Sequence, residues 1–98
     1  MAEDPTQVAS HVYKTVFEND RVRILEAHMA PGDVTVMHSH PDHIAVAMKP
    51  AKFKFQLASG EEAEGELEAG QAMFVEAADH TTENTGSTEL HAVLIELK

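Results

Sequence analysis

The chain has 98 residues, no cysteine and a formal net charge of -10, from 17 acidic and 7 basic residues. This length supports one small domain, and the missing cysteines exclude disulfides and thiolate metal ligands. The negative charge argues against nucleic acid as a partner, because it would repel a phosphate backbone.

The first twelve residues show no clear periodicity and are predicted to be an N-terminal extension, frayed or briefly helical, before one domain over residues 13–98. The acidic start, Met1-Ala-Glu-Asp-Pro, is unlike a secretion signal. No stretch of the sequence approaches the roughly 20 apolar residues of a membrane span. We therefore expect a cytoplasmic protein with no membrane partner.

Short runs suited to strands alternate with turn residues along the rest of the chain. In Lys52–Ala58 the apolar residues Phe53 and Phe55 alternate with lysines, which predicts a strand with one buried face. Ile44–Met48 is apolar throughout, as expected of a strand covered on both faces. The predicted strands are Arg21–Met29, Val34–His40, His43–Met48, Lys52–Ala58, Ala72–Glu76 and Leu90–Leu97. Many short strands between regularly spaced turns favour an all-β sandwich or barrel.

The acidic run from Glu61 to Glu68 is predicted to be a solvated hairpin whose turn is bracketed by Gly60 and Gly65. Glutamates on such an exposed edge also discourage pairing between the sheets of different molecules. Large apolar side chains elsewhere are predicted to fill the core or line a pocket. They are Tyr13, Met48, Phe53, Phe55, Met73 and Phe74.

Three of the seven histidines, His38, His40 and His43, lie within six residues and follow a Pro31-Gly32 turn. If the chain is extended there, His38 and His40 point to one face with backbones about 7 Å apart. Imidazole nitrogens bind transition metals, so this spacing predicts part of a metal site. A histidine-x-histidine pair also occurs on polar strand faces, and a second motif is needed to support the metal interpretation.

Two motifs resemble the two signatures of the cupin superfamily. The first has glycine, five residues and histidine-x-histidine, and the second has glycine, a histidine ten residues later and an asparagine four residues after it. The matching residues are, in order, Gly32, His38, His40, Gly70, His80 and Asn84. The resemblance implies a single small cupin β-barrel, that is, a double-stranded β-helix or jelly roll, in which His80 joins His38 and His40 around one metal ion. Asn84 is expected to shape the turn into Thr85-Gly86.

One departure from the family pattern concerns the ligands, because the chain has no glutamate between His40 and Glu61. His43 is predicted to take that place, with Asp42 as the alternative, and the predicted metal ligands are His38, His40, His43 and His80. Such a set favours a divalent transition metal, namely Zn, Ni, Cu or Fe(II), over Mg or Ca. An uncharged shell of imidazoles would leave the charge of the ion uncompensated and should favour an anionic substrate.

Three functions remain open from the sequence. The resemblance most readily implies a metal-dependent enzyme on a small organic molecule, either a dioxygenase or an isomerase or lyase. A non-catalytic module that binds a small molecule is the alternative, since fold does not fix activity. In a third interpretation the metal is structural and four histidines close its shell. The resemblance also implies a homodimer.

Overall fold

The computed structural model describes residues 3–98, which form one short helix and nine strands. The elements in chain order are α1 (Pro5–Val8), β1 (Tyr13–Glu18), β2 (Val22–Met29), β3 (His38–His40), β4 (His43–Ala47), β5 (Ala51–Leu57), β6 (Glu62–Leu67), β7 (Ala72–Val75), β8 (Ala78–Asn84) and β9 (Leu90–Leu97). They build a five-stranded sheet, β1-β2-β9-β4-β7, and a four-stranded sheet, β3-β8-β5-β6. All the pairings are antiparallel, so the predicted all-β class is confirmed.

The core lies between the two sheets. In β2 the residues Leu25, Ala27 and Met29 alternate toward it, because successive side chains of a strand point to opposite faces. The same alternation corrects two core predictions. Met48 follows the inward Ala47 and is half exposed, and Phe74 lies on the outer face of β7, also half exposed.

The predicted strand Val34–His40 is shorter in the structure, where only β3 is regular. Val34 makes a single isolated bridge to Glu83, and the ladder is then interrupted by a side chain. The hydroxyl of Thr35 accepts a hydrogen bond from the backbone N–H of Thr82 at 2.9 Å, in place of a backbone carbonyl. Regular pairing resumes at His38.

The acidic segment forms the expected hairpin with β5, but Gly65 does not flank its turn. The turn precedes β6 and includes Gly60, which has a positive φ of 96°, whereas Gly65 lies inside β6 opposite Phe53. A Cβ at position 65 would meet the Phe53 ring at 2.5 Å. Gly65 is therefore a packing residue, where the ring of a core phenylalanine lies against the backbone of the next strand.

The N-terminal segment packs against the domain. Asp4 caps α1 by accepting a hydrogen bond from Thr6 N–H at 2.9 Å, and Pro5 and Ala9 are buried. The backbone N–H of Ser39 in β3 donates to the carbonyl of Glu3 at 2.8 Å. The short helical start is thus present, while the domain boundary after residue 12 stays a prediction.

Asn84 shapes the turn after β8, as predicted. Its side-chain oxygen accepts a hydrogen bond from Gly86 N–H at 2.9 Å, and its amide donates to the carbonyls of Met29 and Thr88, each at 3.0 Å. The side chain is buried, so these bonds join the end of β8 to the ends of the strands that cover the core.

Candidate metal centre

Neighbouring strands bring the histidines of the two sequence motifs together. In the β3–β8 pair His38 lies directly opposite His80, and His40 lies on the same face as His38, two residues further along β3. The ligating nitrogens of these three side chains all lie within 4.8 Å of one another, and all three residues are buried. Residues that are about 40 positions apart in the chain therefore form one cluster.

The hydrogen bonds of two histidines fix which ring nitrogen carries the proton. The Nδ1 of His38 lies 2.9 Å from the carbonyl of Val36, and the Nδ1 of His40 lies 2.8 Å from Glu96 Oε2. A carbonyl or an ionised carboxylate can only accept, so each Nδ1 carries the proton and each Nε2 presents a lone pair. This is the form of imidazole that binds a metal ion.

Two ring nitrogens of the cluster have no hydrogen-bond partner within residues 3–98. They are the buried Nε2 atoms of His40 and His80. A buried polar atom without a hydrogen-bond partner costs about 1–3 kcal/mol. The cluster can therefore hold a metal ion, which would satisfy these atoms at once.

His38 and His80 are uncharged near neutral pH. Burial lowers the pKa of His38 to about 4 and that of His80 to about 3, and the neighbouring histidines lower both further by repulsion between their protonated forms. Burial also lowers the pKa of His43. Metal binding at pH 7 would thus displace no proton from His38 or His80.

His43 lies beside the cluster but outside the set of nitrogens that are within 4.8 Å of one another. It is buried, its ring centroid is 4.7 Å from that of His40, and its Nδ1 donates to the Pro41 carbonyl at 2.9 Å. Asp42, the alternative fourth ligand, is exposed, and its Oδ1 accepts a hydrogen bond from Ala77 N–H at 2.8 Å. The fourth ligand stays a prediction.

Glu96 is a buried carboxylate that the sequence analysis missed. Its Oε2 accepts from His40 Nδ1, and its Oε1 accepts from Arg23 Nε and Nη2, each at 2.7 Å. Arg23 in turn pairs with Asp4 at 2.8 Å. The alternation of side chains along β9 could have identified it. Glu96 lies two residues after Leu94 and therefore points to the same inward face, which makes it a charged residue at a core position.

Glu96 is ionised, although burial alone would raise its pKa. The hydrogen bonds from His40 and Arg23 outweigh the burial and hold the pKa of Glu96 below its usual value. A carboxylate that accepts the second N–H of a ligating histidine orients the ring and makes its free nitrogen more basic. The family's glutamate ligand is missing from its usual place, and this chain instead supplies a carboxylate behind one histidine.

An apolar cavity opens beside the histidines, between the two sheets. The cavity has a volume of about 60 Å³, and His40, His43 and His80 form its polar end. Ala45 and Ala47 face it, as the alternation from His43 predicts. The other lining residues are Tyr13, Ala27, Met29, Ala51, Phe53, Phe55, Leu67, Met73, Thr82, Leu90, Ala92 and Leu94.

Tyr13 places a hydroxyl at the edge of the cluster. Its oxygen lies 3.3 Å from His38 Nε2, and burial raises the pKa of Tyr13 to about 12, so the phenol keeps its proton and donates it to that nitrogen. Phe55 stacks on His80 with ring centroids 4.6 Å apart and limits the orientations of that imidazole. The site is thus held by packing as well as by hydrogen bonds.

Comparison with solved structures gives the fold its name. A cupin domain from Bordetella pertussis Tohama I superposes with a TM-score of 0.79 and 27% identity, over 89% of this chain and 92% of that one. The chain has the cupin fold. An RmlC-like cupin with a double-stranded β-helix fold from Methanocaldococcus jannaschii has a TM-score of 0.67, with 15% identity over 88% of this chain and 78% of that one.

A third structure, an uncharacterized conserved protein with a double-stranded β-helix domain from Klebsiella pneumoniae, has a TM-score of 0.68 and 18% identity over 88% of this chain and 75% of that one. No protein-family model and no curated protein matches the chain. Among residues 3–98 no helix has the length and apolar character needed to cross a membrane. The cupin β-helix implied by the two motifs is therefore confirmed at the level of fold.

Proposed function

We propose that this cupin binds a divalent transition metal ion, Zn, Ni, Cu or Fe(II), through His38, His40 and His80, and that it acts on a small organic molecule in the adjoining cavity. The observation that carries the proposal is the pair of buried, unpartnered Nε2 atoms of His40 and His80 beside a third imidazole nitrogen. Imidazole is a ligand for these metals, and Mg and Ca would instead require oxygen donors.

His43 is our proposed fourth ligand. It is buried next to His40, and its Nδ1 proton is held by the Pro41 carbonyl, which leaves Nε2 as the nitrogen that can bind. A modest rotation of its ring is required, because it stands outside the set of closest nitrogens. If His43 instead stays beside the site, a coordination position is left for substrate or water.

The cavity walls support a substrate with an apolar body and one oxygen-bearing, anionic end. Almost all of the lining is aliphatic or aromatic, and the polar groups near the histidines are the hydroxyls of Tyr13 and Thr82. A bound ion would supply Lewis acidity or a site for O₂, the chemistry of isomerases and of dioxygenases respectively. The Tyr13 hydroxyl can donate to a substrate oxygen at the cluster once it is released from His38 Nε2.

A non-catalytic module is the second candidate, and the lack of an evident general base favours it. Within residues 3–98 the titratable groups that line the cavity are histidines and the high-pKa Tyr13, while Glu76 is exposed. If all four histidines close the shell, the metal is structural. The structural alternative predicts an ion that does not accept further ligands, whereas the module predicts binding of a small molecule without turnover.

The first experiment measures metal content by elemental analysis of untagged protein that has been incubated with Zn²⁺ and desalted. His38→Ala and His80→Ala should each abolish stoichiometric binding, because each removes one of the three nitrogens that already lie together, while His43→Ala should only weaken it. His11→Ala, a change at an exposed histidine outside the cluster, is the matched control. Wild-type protein that takes up no metal would refute the proposal, and equal loss in all three variants would establish His43 as a full ligand.

The second experiment tests whether a coordination position is open. Co²⁺-loaded protein is titrated with azide, and the visible spectrum reports the coordination of the ion. A saturable spectral change supports a site that can take substrate. An unchanged spectrum at high azide would indicate a closed, structural centre.

A further inference from the structure

A second group of metal-binding side chains lies outside the cavity, on the outer face of the five-stranded sheet. His28 of β2 and His91 of β9 are directly opposite each other in the ladder, and Glu26 lies two residues before His28 on the same face. Ligand atoms of these three side chains all lie within 4.8 Å of one another. Neither His28 nor His91 belongs to the two sequence motifs that predict the buried metal site.

Glu26 binds to both histidines. Its Oε2 accepts a hydrogen bond from His91 Nε2 at 2.8 Å and lies 3.6 Å from His28 Nε2, so an ion bound between them would take the place of the His91 proton. The two rings are nearly parallel, with an interplanar angle of 18° and centroids 4.1 Å apart. One carboxylate oxygen and two imidazole nitrogens thus lie close together. Because the lone pair of an imidazole nitrogen lies in the plane of its ring, at least one of the two stacked rings must turn before both nitrogens can bind one Zn²⁺ at about 2.0–2.2 Å.

Glu89 stands behind His28 as Glu96 stands behind His40. Its Oε1 lies 3.4 Å from His28 Nδ1, so it accepts the Nδ1 proton and leaves Nε2 as the free nitrogen that faces Glu26. Histidines that bind metal commonly donate their other N–H to a carboxylate in this way. Lys49 donates a hydrogen bond to the same oxygen of Glu89 at 3.3 Å.

The geometry points to a second transition-metal site, in which His28, His91 and Glu26 bind one divalent ion such as Zn²⁺, with Glu89 positioning His28. His28 and Glu26 are 45% and 35% exposed, so the ion would keep water in its remaining position and exchange readily. We expect weaker binding here than at the buried cluster, because the site is open to solvent. The net charge of -10 adds a general attraction for cations.

Calorimetric titration of metal-free protein with Zn²⁺ tests the site. Wild type should show a weaker binding event besides any event at the buried cluster. His28→Gln and His91→Gln should each weaken that event at least tenfold, and His11→Ala should not change it. Circular dichroism of each variant verifies folding, which is expected because the substituted side chains lie on the surface.

The His80→Ala variant separates this site from the buried cluster on which the proposed function rests. It disables the buried cluster and should leave the weaker Zn²⁺-binding event intact. If the weaker event survives in both His28→Gln and His91→Gln, or if wild type shows no event beyond the one lost in His80→Ala, the second site is refuted. If His80→Ala changes nothing while His91→Gln removes the only event, the second site stands and the buried cluster fails.

Discussion

The buried carboxylate of Glu96 is the residue that most directly controls the candidate ligands, because it accepts the Nδ1 proton of His40. Glu96→Gln keeps the shape of the side chain but removes its charge and leaves Arg23 without a full partner. We expect a loss of about 10–100-fold in affinity for Zn²⁺, the usual cost of removing such an outer partner. Competition with a chromophoric chelator measures it.

The matched control for that variant is Glu66→Gln, which removes one charge from an exposed position of β6. It should leave the affinity unchanged. If both variants bind Zn²⁺ like the wild type, Glu96 has only a structural role in its pair with Arg23.

Buried neutral histidines also make the stability of the metal-free protein depend on pH. The folded pKa values of His38 and His80, about 4 and about 3, lie below the value of about 6.5 expected in the unfolded chain. As pH falls below about 6.5 the unfolded chain therefore takes up protons that the folded protein does not. The free energy of unfolding should fall with decreasing pH until about 4 for His38 and about 3 for His80.

Urea unfolding at several pH values between about 7.5 and 4.5 measures this dependence. His80→Leu, which cannot ionise, should reduce the slope by up to about 1.4 kcal/mol per pH unit, while His11→Ala should not. A slope that is equal in wild type and His80→Leu would mean that His80 titrates normally in the folded state.

The packing of the β5–β6 hairpin depends on Gly65, which has no side chain and so leaves room for the Phe53 ring. The ring of Phe53 is a buried part of the cavity wall and cannot move far. Gly65→Ala should therefore destabilise the protein by about 1–3 kcal/mol, as overpacking usually does. Urea unfolding measures this change. Glu64→Ala, at the exposed neighbouring position, is the control. Equal free energies of unfolding for wild type and Gly65→Ala would show that the Phe53 ring adjusts freely.

Sequence patterns identified the strands that have an apolar face and missed those that do not. β1 has one buried residue followed by five exposed ones, so it lacks the alternation of a half-buried strand. β6, in which three of six residues are glutamate, was predicted only as part of a solvated hairpin. β8 carries polar side chains such as His80, Thr82 and Asn84 at its buried positions. The rule that buried residues are apolar fails there because the strand builds the site.

The histidine cluster was predictable from the motifs, whereas Glu96 and Arg23 were not singled out. Their contact joins residues 73 positions apart, and it depends on β2 and β9 being neighbours, which local patterns do not encode. The fourth ligand was left open for a related reason. Ring orientation at His43 is decided by its bond to the Pro41 carbonyl, a detail of side-chain geometry.

The outer face of the five-stranded sheet carries an apolar surface that supports the expected homodimer. An apolar row crosses all five strands at one level, each residue directly opposite the next, and consists of Phe17, Ile24, Ile95, Ile44 and Phe74. Phe17 and Phe74 are 51% and 56% exposed. A contiguous apolar surface of this kind is typical of a contact between proteins.

Light scattering coupled to size-exclusion chromatography tests this proposal. We expect a mass of about twice 10.7 kDa for the wild type and the monomer mass for Phe74→Lys, which places a charge in the row. Val34→Lys, at an equally exposed position outside the row, should remain dimeric. A monomeric wild type at about 100 µM would contradict the homodimer.

The ion pair between Asp4 and Arg23 has a practical consequence for handling the protein. Asp4 holds the start of α1, and through Arg23 and Glu96 it is linked to the ring of His40. A purification tag placed directly before Met1 would lie three residues before this link. Removing or crowding the residues before Asp4 should make the orientation of the His40 ring less fixed. Metal affinities should therefore be compared between tagged and cleaved preparations before any variant is interpreted.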